Sequence, residues 1–119
     1  MAEIAIVKEG LTTAGLCTFS TLMQWELSTL AKVLGTTKRT LLRNKDKHLN
    51  KQISENAIEV ARLSNFGTAY FGSIDNWNAW LYTPNIQFDN QPARAIMNSV
   101  RGRELIRRVI SGLQHGFTA

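Results

Sequence analysis

The sequence predicts an all-α fold, and three observations lead to that prediction. Apolar residues recur mostly at spacings of three and four along the 119-residue chain, which is the periodicity of helices that bury one face. The chain has only two prolines, so few positions interrupt a helix. Apolar residues make up 44% of the chain, a composition typical of a globular protein that buries a core. We therefore expect compact helical units.

Four helices are predicted in the first 72 residues, with expected bounds of 13–24, 27–34, 38–45 and 54–71. Gly35 follows the second helix, where glycine readily adopts the left-handed conformation that ends many helices. Thr36 and Thr37 are candidate caps for the third helix and Ser54 for the fourth, because a hydroxyl oxygen accepts the unpaired N–H groups of a first turn. Gly67 inside the fourth helix favours a neighbour that packs closely against it.

Three shorter helical segments complete the predicted fold. The first contains Trp77, Trp80 and Leu81 and ends before Thr83-Pro84, the second runs from Pro92 through Met97, and the third runs from Val100 to about Gly112. Ser73 or Asp75 caps the first of them, and Ser99 caps the last. The dipeptide Asp89-Asn90 is expected in a turn. Pro92 is predicted at the first position of the middle segment, where its missing N–H is no loss.

The expected core includes the single cysteine. Cys17 lies in the apolar stripe of the first helix with Phe19 and Leu22, so we expect a buried thiol, and one cysteine cannot form an internal disulfide. Trp77 and Trp80 lie three residues apart on a predicted helix. Core packing is the first interpretation of that spacing, and contact with a partner is the second.

The positive charge of the chain is concentrated in one window. The net charge of the whole chain is +5. Residues 38–51 contain six lysines and arginines against Asp46 alone, so this window by itself sums to +5. The other 105 residues carry eight basic and eight acidic side chains. A local basic patch of this kind indicates an acidic partner such as nucleic acid.

Residues 27–44 fit the pattern of a helix-turn-helix, two short helices joined by a tight turn. Ala31 is small enough for a close approach of the two helices, and Gly35 provides the positive φ that the turn requires. The side chains expected on the core side of this unit are Leu30, Leu34, Leu41 and Leu42.

The opposite side of the third helix is polar and basic, as a helix in the major groove of DNA requires. Arginine pairs bidentately with guanine and asparagine with adenine, while lysines neutralise phosphates. The candidate DNA-binding residues are Lys38, Arg39, Thr40, Arg43, Asn44, Lys45, Lys47 and Lys51. A solvated charged face is the alternative interpretation. If the unit binds DNA, we expect a homodimer that meets two half-sites about one helical turn apart.

Two groups of residues resemble a known family. Residues 7–11 and 27–43 resemble the Xre-type helix-turn-helix domain of antitoxins. The second half resembles the Xre/MbcA/ParS toxin-binding domain through the run from Trp80 to Asn85, Pro92, Gly102 and residues 115–119. The resemblance implies an Xre/Cro-like DNA-binding domain over residues 1–52. It also implies a small helical toxin-binding domain with a C-terminal tail over residues 53–119.

For function, the resemblance implies an antitoxin of a type II toxin-antitoxin pair. Its partner would be a RES-domain toxin encoded next to it, which consumes NAD or transfers ADP-ribose. The C-terminal region would block the active site of the toxin in a higher hetero-oligomer, and the helix-turn-helix would repress the operon. The candidate toxin-binding residues are Arg107, Arg108, His115, Gly116, Phe117, Thr118 and Ala119. For Arg103, Arg107 and Arg108 a solvated helix face is the first interpretation, and contact with an acidic surface of the toxin is the second. For His115 and Phe117 the alternative interpretation is a loosely held tail or local packing.

The residues give little support to an enzyme. His48 and His115 are 67 residues apart, and the sequence has neither metal-ligand spacing nor a glycine-rich phosphate loop. We therefore expect no catalysis, cofactor or metal. The sequence has no stretch of roughly 20 apolar residues and no signal-peptide pattern, so we expect a cytoplasmic protein. The alternative function is a stand-alone repressor whose C-terminal helices serve only dimerisation.

Overall fold

A computed structural model of the protein describes residues 12–43 and 49–116, which fold mainly as helices. The helices are α1 (Thr13–Met23), α2 (Leu27–Val33), α3 (Lys38–Arg43), α4 (Lys51–Phe71), α5 (Ile74–Tyr82) and α6 (Val100–Gln114). Strands β1 (Pro84–Asn85) and β2 (Gln91–Pro92) and two 3-10 turns, Ile86–Phe88 and Ala93–Ile96, lie between α5 and α6. The predicted all-α class is confirmed. None of the described helices combines the length and apolar character that crossing a membrane requires.

The described residues divide into two compact units, one ending at Asn65 and the other beginning at Phe66. The division falls inside α4, whereas the sequence placed a domain boundary at residue 52. The first part of α4 is tied to the first unit, because the side-chain amide of Asn56 donates to the carbonyl of Leu34 at 3.2 Å. A continuous helix shows no break in composition where its residues pass from one unit to the next, so the sequence did not indicate this division.

The core of the first unit is built on α1. Leu16 and Phe19 are fully buried, and the Trp25 ring packs edge-on against Phe19 with 5.6 Å between the ring centroids. The hydroxyl of Thr13 donates to the carbonyl of Leu41 at 2.8 Å, which ties α1 to α3. These contacts hold α3 against the core of the first unit.

Two predictions for the first unit are wrong. Cys17 is half-buried, and with Leu22, which is 41% exposed, it borders a shallow surface depression. Both residues lie at the edge of the stripe that Leu16 and Phe19 occupy, so the periodicity alone did not separate them from the core.

The cap of α4 is Asn50, whose side-chain oxygen accepts from the N–H of Ile53 at 2.8 Å. The Ser54 hydroxyl lies inside the helix and donates to the Leu49 carbonyl at 3.4 Å.

A short antiparallel hairpin in the second unit was not predicted. Pro84 pairs with Pro92, and Asn85 pairs with Gln91. The predicted turn at Asp89-Asn90 is confirmed, with φ values of 61° and 64°. Pro92 is extended, at φ −69° and ψ 148°, and precedes the 3-10 turn instead of opening a helix. Two-residue strands are too short to produce an alternating pattern, which explains why the sequence did not reveal them.

Candidate functional site

The turn between α2 and α3 is fixed by backbone hydrogen bonds that the sequence makes possible. Gly35 has a φ of +80°, and its N–H donates to the carbonyl of Lys32 at 3.1 Å, while the N–H of Thr36 donates to that of Ala31 at 2.9 Å. These are the two bonds of a Schellman helix end. Thr37, one of the two predicted caps, then starts α3 by accepting from the N–H of Thr40 at 3.1 Å. The direction in which α3 leaves the turn is therefore well determined.

The basic face of α3, defined here as Lys38, Arg39 and Arg43, is exposed. Together with Leu42 these residues line one shallow concave surface. Lys51, the first residue of α4, is also exposed. Three cations on one side of a short helix form a surface that attracts a polyanion, and the geometry leaves each of them accessible.

The other candidate DNA-binding residues behave differently. Thr40 is half-buried, and its hydroxyl oxygen accepts from the hydroxyl of Thr37 at 2.9 Å. This side chain is therefore part of the hydrogen bonding that starts α3. Asn44, Lys45 and Lys47 lie outside the described residues.

Leu42 does not belong to the core, contrary to the prediction. Leu41 is 1% exposed and packs inside the first unit, whereas Leu42 is 43% exposed beside the cations of the basic face. Neighbouring residues on a helix are turned about 100° apart, so one buried leucine does not carry the next one into the core. The expected burial of Leu30, Ala31 and Leu34 is confirmed.

In the second unit an aromatic cluster joins the end of α4 to α5. The rings of Trp77 and Trp80 are stacked with 5.9 Å between centroids, and Phe71 lies 5.2 Å from Trp80. Trp77 is fully buried and packs directly on Gly67, which confirms that this glycine has a close neighbour. Ser73 is the cap of α5, since its hydroxyl oxygen accepts from the N–H of Asn76 at 3.0 Å. The core interpretation of Trp77 is thus confirmed.

The hairpin is fastened to this cluster by Phe88. Phe88 is 5% exposed, and its ring packs edge-on against Trp80 at 5.9 Å. The side-chain oxygen of Asn85 accepts from the N–H of Gln87 at 2.8 Å, which forms an Asx turn. The exposed apolar residues of this segment are Tyr82, Pro84 and Ile86, named here the hairpin patch.

The start of α6 is packed tightly against the preceding 3-10 turn. The Ser99 hydroxyl oxygen accepts from the N–H of Gly102 at 2.9 Å, as predicted. A Cβ at Gly102 would overlap the carbonyl oxygen of Ile96, so the close approach requires a glycine. The solvated position expected for Arg103 is wrong, because this side chain is 5% exposed and its Nη1 donates to the Met97 carbonyl at 2.9 Å. A charged residue at helical spacing gives no sequence signal of burial, although Gly102 directly before it is also buried.

The candidate toxin-binding residues lie along and after α6. Arg107 and Arg108 are exposed, and the guanidinium of Arg107 lies 4.7 Å from the centroid of the Phe66 ring. The ring nitrogen Nδ1 of His115 is 2.7 Å from the Ser111 carbonyl, so this side chain packs locally at the helix end. Gly116 is exposed with a φ of +82°. The remaining three candidates, Phe117, Thr118 and Ala119, lie outside the described residues.

The hairpin patch is a candidate contact surface that the sequence reasoning missed. Ile86 is 76% exposed and Tyr82 is 49% exposed. One signal was present, because Ile86 fits none of the apolar stripes at spacings of three and four. In residues 12–43 and 49–116, the histidine, cysteine and acidic side chains form no group of three that could hold a metal ion.

Comparison with known proteins identifies the second unit. Residues 67–116 match the family model of the antitoxin Xre/MbcA/ParS C-terminal toxin-binding domain. Among curated proteins, none is similar enough to the chain to count as a match. The helical fold and this match define the class of the second unit, a toxin-binding domain of antitoxins. The match covers 50 of the 119 residues and confirms the resemblance recognised in the second half of the sequence. The family is one of antitoxin domains and not of enzymes.

Proposed function

We propose that the protein is a type II antitoxin that neutralises a RES-domain toxin encoded beside it and represses its own operon. The observation that carries this proposal is the toxin-binding domain over residues 67–116, in a chain whose net charge lies in another segment. In this proposal one part of the chain binds the toxin, and another part binds DNA. The protein itself contributes no catalysis and acts in the cytoplasm, where its operator is.

The toxin half of the proposal concerns α6 and the residues after it. Arg107 and Arg108 present exposed charge to an acidic surface of the toxin, which steers association more than it adds affinity. Residues 115–119 block the entrance to the active site of the toxin. The exposed Gly116 supports this role, because a residue in the left-handed conformation cannot continue α6.

The DNA half of the proposal concerns the basic face of α3 and the basic residues that follow it. Arg39 and Arg43 read base edges, while Lys38, Lys45, Lys47 and Lys51 neutralise phosphates. The exposure of Lys38, Arg39, Arg43 and Lys51 supports these roles. A homodimer meets two half-sites, because one short helix offers too few contacts for tight binding.

Co-expression with the neighbouring gene tests the proposal against the alternative of a stand-alone repressor. The antitoxin is expected to co-purify with that gene product, to restore growth and to prevent the loss of cellular NAD. Deleting residues 116–119 is expected to abolish neutralisation and to leave the circular dichroism spectrum unchanged. A chain that represses its promoter but neither co-purifies with the neighbouring product nor protects cells from it would establish the repressor instead.

A further inference from the structure

We propose that the hairpin patch, Tyr82, Pro84 and Ile86, is a docking surface for an apolar area on the toxin. The proposal rests on the proposed antitoxin function and names a surface of the toxin-binding domain that makes the contact. The tail after α6 is the first proposed contact with the toxin. The hairpin patch is a second contact, and it is positioned by the hairpin and not by α6.

The fold turns these side chains away from the core. Trp80 and Phe88 face each other with 5.9 Å between ring centroids. On α5, Tyr82 follows Trp80 by two residues and is rotated by about 200° from it. Ile86 precedes Phe88 by two residues in a 3-10 turn, which is a rotation of about 240°. Since the two anchors point inward, Tyr82 and Ile86 point toward solvent.

The exposure of the patch is unusual for its chemistry. Ile86 is 76% exposed and Tyr82 is 49% exposed, and Pro84 between them is also exposed. Single exposed apolar residues are ordinary, but three within five residues form a local apolar surface of the kind found at protein interfaces. The guanidinium of Arg94 lies 5.0 Å from the centroid of the Tyr82 ring. Tyrosine and arginine are both enriched at such interfaces.

The patch is also held in place. The Thr83 hydroxyl donates to the Ala79 carbonyl at 2.7 Å, and the N–H of Asn90 donates to the Asn85 carbonyl at 3.0 Å. Pairing of Pro84 with Pro92 closes the base of the hairpin. A surface already fixed in one conformation loses little entropy on binding, so a small apolar area contributes more to affinity.

The toxin is the occupant that the observations favour. All three residues lie within 67–116, the stretch that matches a domain described by its binding of a toxin. The surface is apolar and therefore fits an apolar partner better than DNA. A second copy of the chain is the competing occupant, and the experiment below separates it from the toxin.

The test compares the variants Ile86→Asp and Leu22→Asp with the wild-type protein. Each replaces an exposed aliphatic side chain by the same charge, and Leu22, 41% exposed, lies in the first unit. Affinity for the purified product of the adjacent toxin gene is measured by calorimetry, and self-association by light scattering. Ile86→Asp is expected to weaken toxin binding at least about tenfold, while Leu22→Asp leaves it within about twofold.

Three results would overturn the proposal. Toxin affinity of Ile86→Asp equal to that of the wild type removes the docking role. Loss of self-association with unchanged toxin affinity assigns the patch to a second copy. If Ile86→Asp changes the melting temperature of the protein, the affinity measurement is repeated with Ile86→Gln. Toxin affinity of Ile86→Gln equal to that of the wild type also refutes the proposal. A wild-type protein that fails to bind the toxin refutes the proposed function itself, a result distinct from a loss confined to the Ile86 variants.

Discussion

The indole of Trp77 lies so close to Gly67 that a Cβ at position 67 would stand 2.3 Å from the ring atoms Cε3 and Cζ3. Trp77 is fully buried, so its ring has no free space to move into. The relationship joins the last turns of α4 to α5 within the toxin-binding domain. It also explains why a glycine occupies the interior of a long helix, where it is otherwise unfavourable.

Gly67→Ala is therefore expected to destabilise the protein by about 1–3 kcal/mol, although alanine favours a helix over glycine by about 1 kcal/mol. Urea unfolding followed by tryptophan fluorescence measures the change. In a Trp77→Leu background the same substitution should cost much less, because the flat ring is gone. If Gly67→Ala instead stabilises the wild-type protein, the Trp77 ring does not restrict the side chain at position 67.

Arg103→Ala is expected to destabilise the protein by about 1.5–3 kcal/mol, since it removes a buried charged donor from the Met97 carbonyl. Arg101, exposed on the same helix, provides the matched control, and Arg101→Ala should change stability by less than about 0.5 kcal/mol. Chemical denaturation of both variants measures the difference. Equal changes in the two variants would show that the hydrogen bond from Arg103 to the Met97 carbonyl contributes nothing measurable to stability.

Gln24→Gly is expected to stabilise the first unit. Gln24 has a φ of 62° at the end of α1, a conformation that costs a side chain about 1–2 kcal/mol relative to glycine. Part of this gain is lost because glycine is freer in the unfolded chain, so we expect a net gain of about 0.5–1 kcal/mol. Thermal unfolding of Gln24→Gly and of the control Gln24→Ala measures it. A glycine variant no more stable than the alanine variant contradicts the expectation.

Arg39→Ala and Arg43→Ala are expected to weaken recognition of the operator by about 1–3 kcal/mol each, through loss of a bidentate contact to guanine. Toxin neutralisation by the same variants should be unchanged, because the toxin-binding domain covers other residues. Binding to a DNA site selected from a random library, measured by fluorescence anisotropy, tests the first part, and growth rescue tests the second. An equal loss on selected and unrelated DNA would assign these arginines to phosphates.

The salt dependence of DNA binding provides a separate check on the basic segment. About four to six phosphate contacts predict that the logarithm of affinity falls with that of salt concentration at a slope of about 0.9 per contact. Lys51→Ala should reduce that slope by about one contact on every sequence. A slope near zero for the wild-type protein would exclude an electrostatic contact to DNA.

Much of the fold was predictable from short-range signals. The sequence correctly placed a turn or a cap at Gly35, Thr37, Ser73 and Ser99, because each of them makes a hydrogen bond to a residue only three positions away. The apolar periodicity of α1 and α3 likewise predicted Phe19 and Leu41 as core. The antitoxin family was also recognisable, since the run from Trp80 to Asn85 and the residues after it keep a specific order.

Tertiary packing decided the rest. Arg101 and Arg103 lie on one helix and Leu41 and Leu42 on another, and only one residue of each pair is buried. Which one is buried depends on the element that packs against that side of the helix. The helical periodicity alone does not distinguish the two residues of either pair. The exposure of Ile86 follows from Phe88 packing on Trp80, a contact between the hairpin and α5. The sequence by itself therefore determined which segments form the main helices, several of their caps and the family of residues 67–116. The structure determined which surfaces remain open, because burial depends on residues distant in the chain.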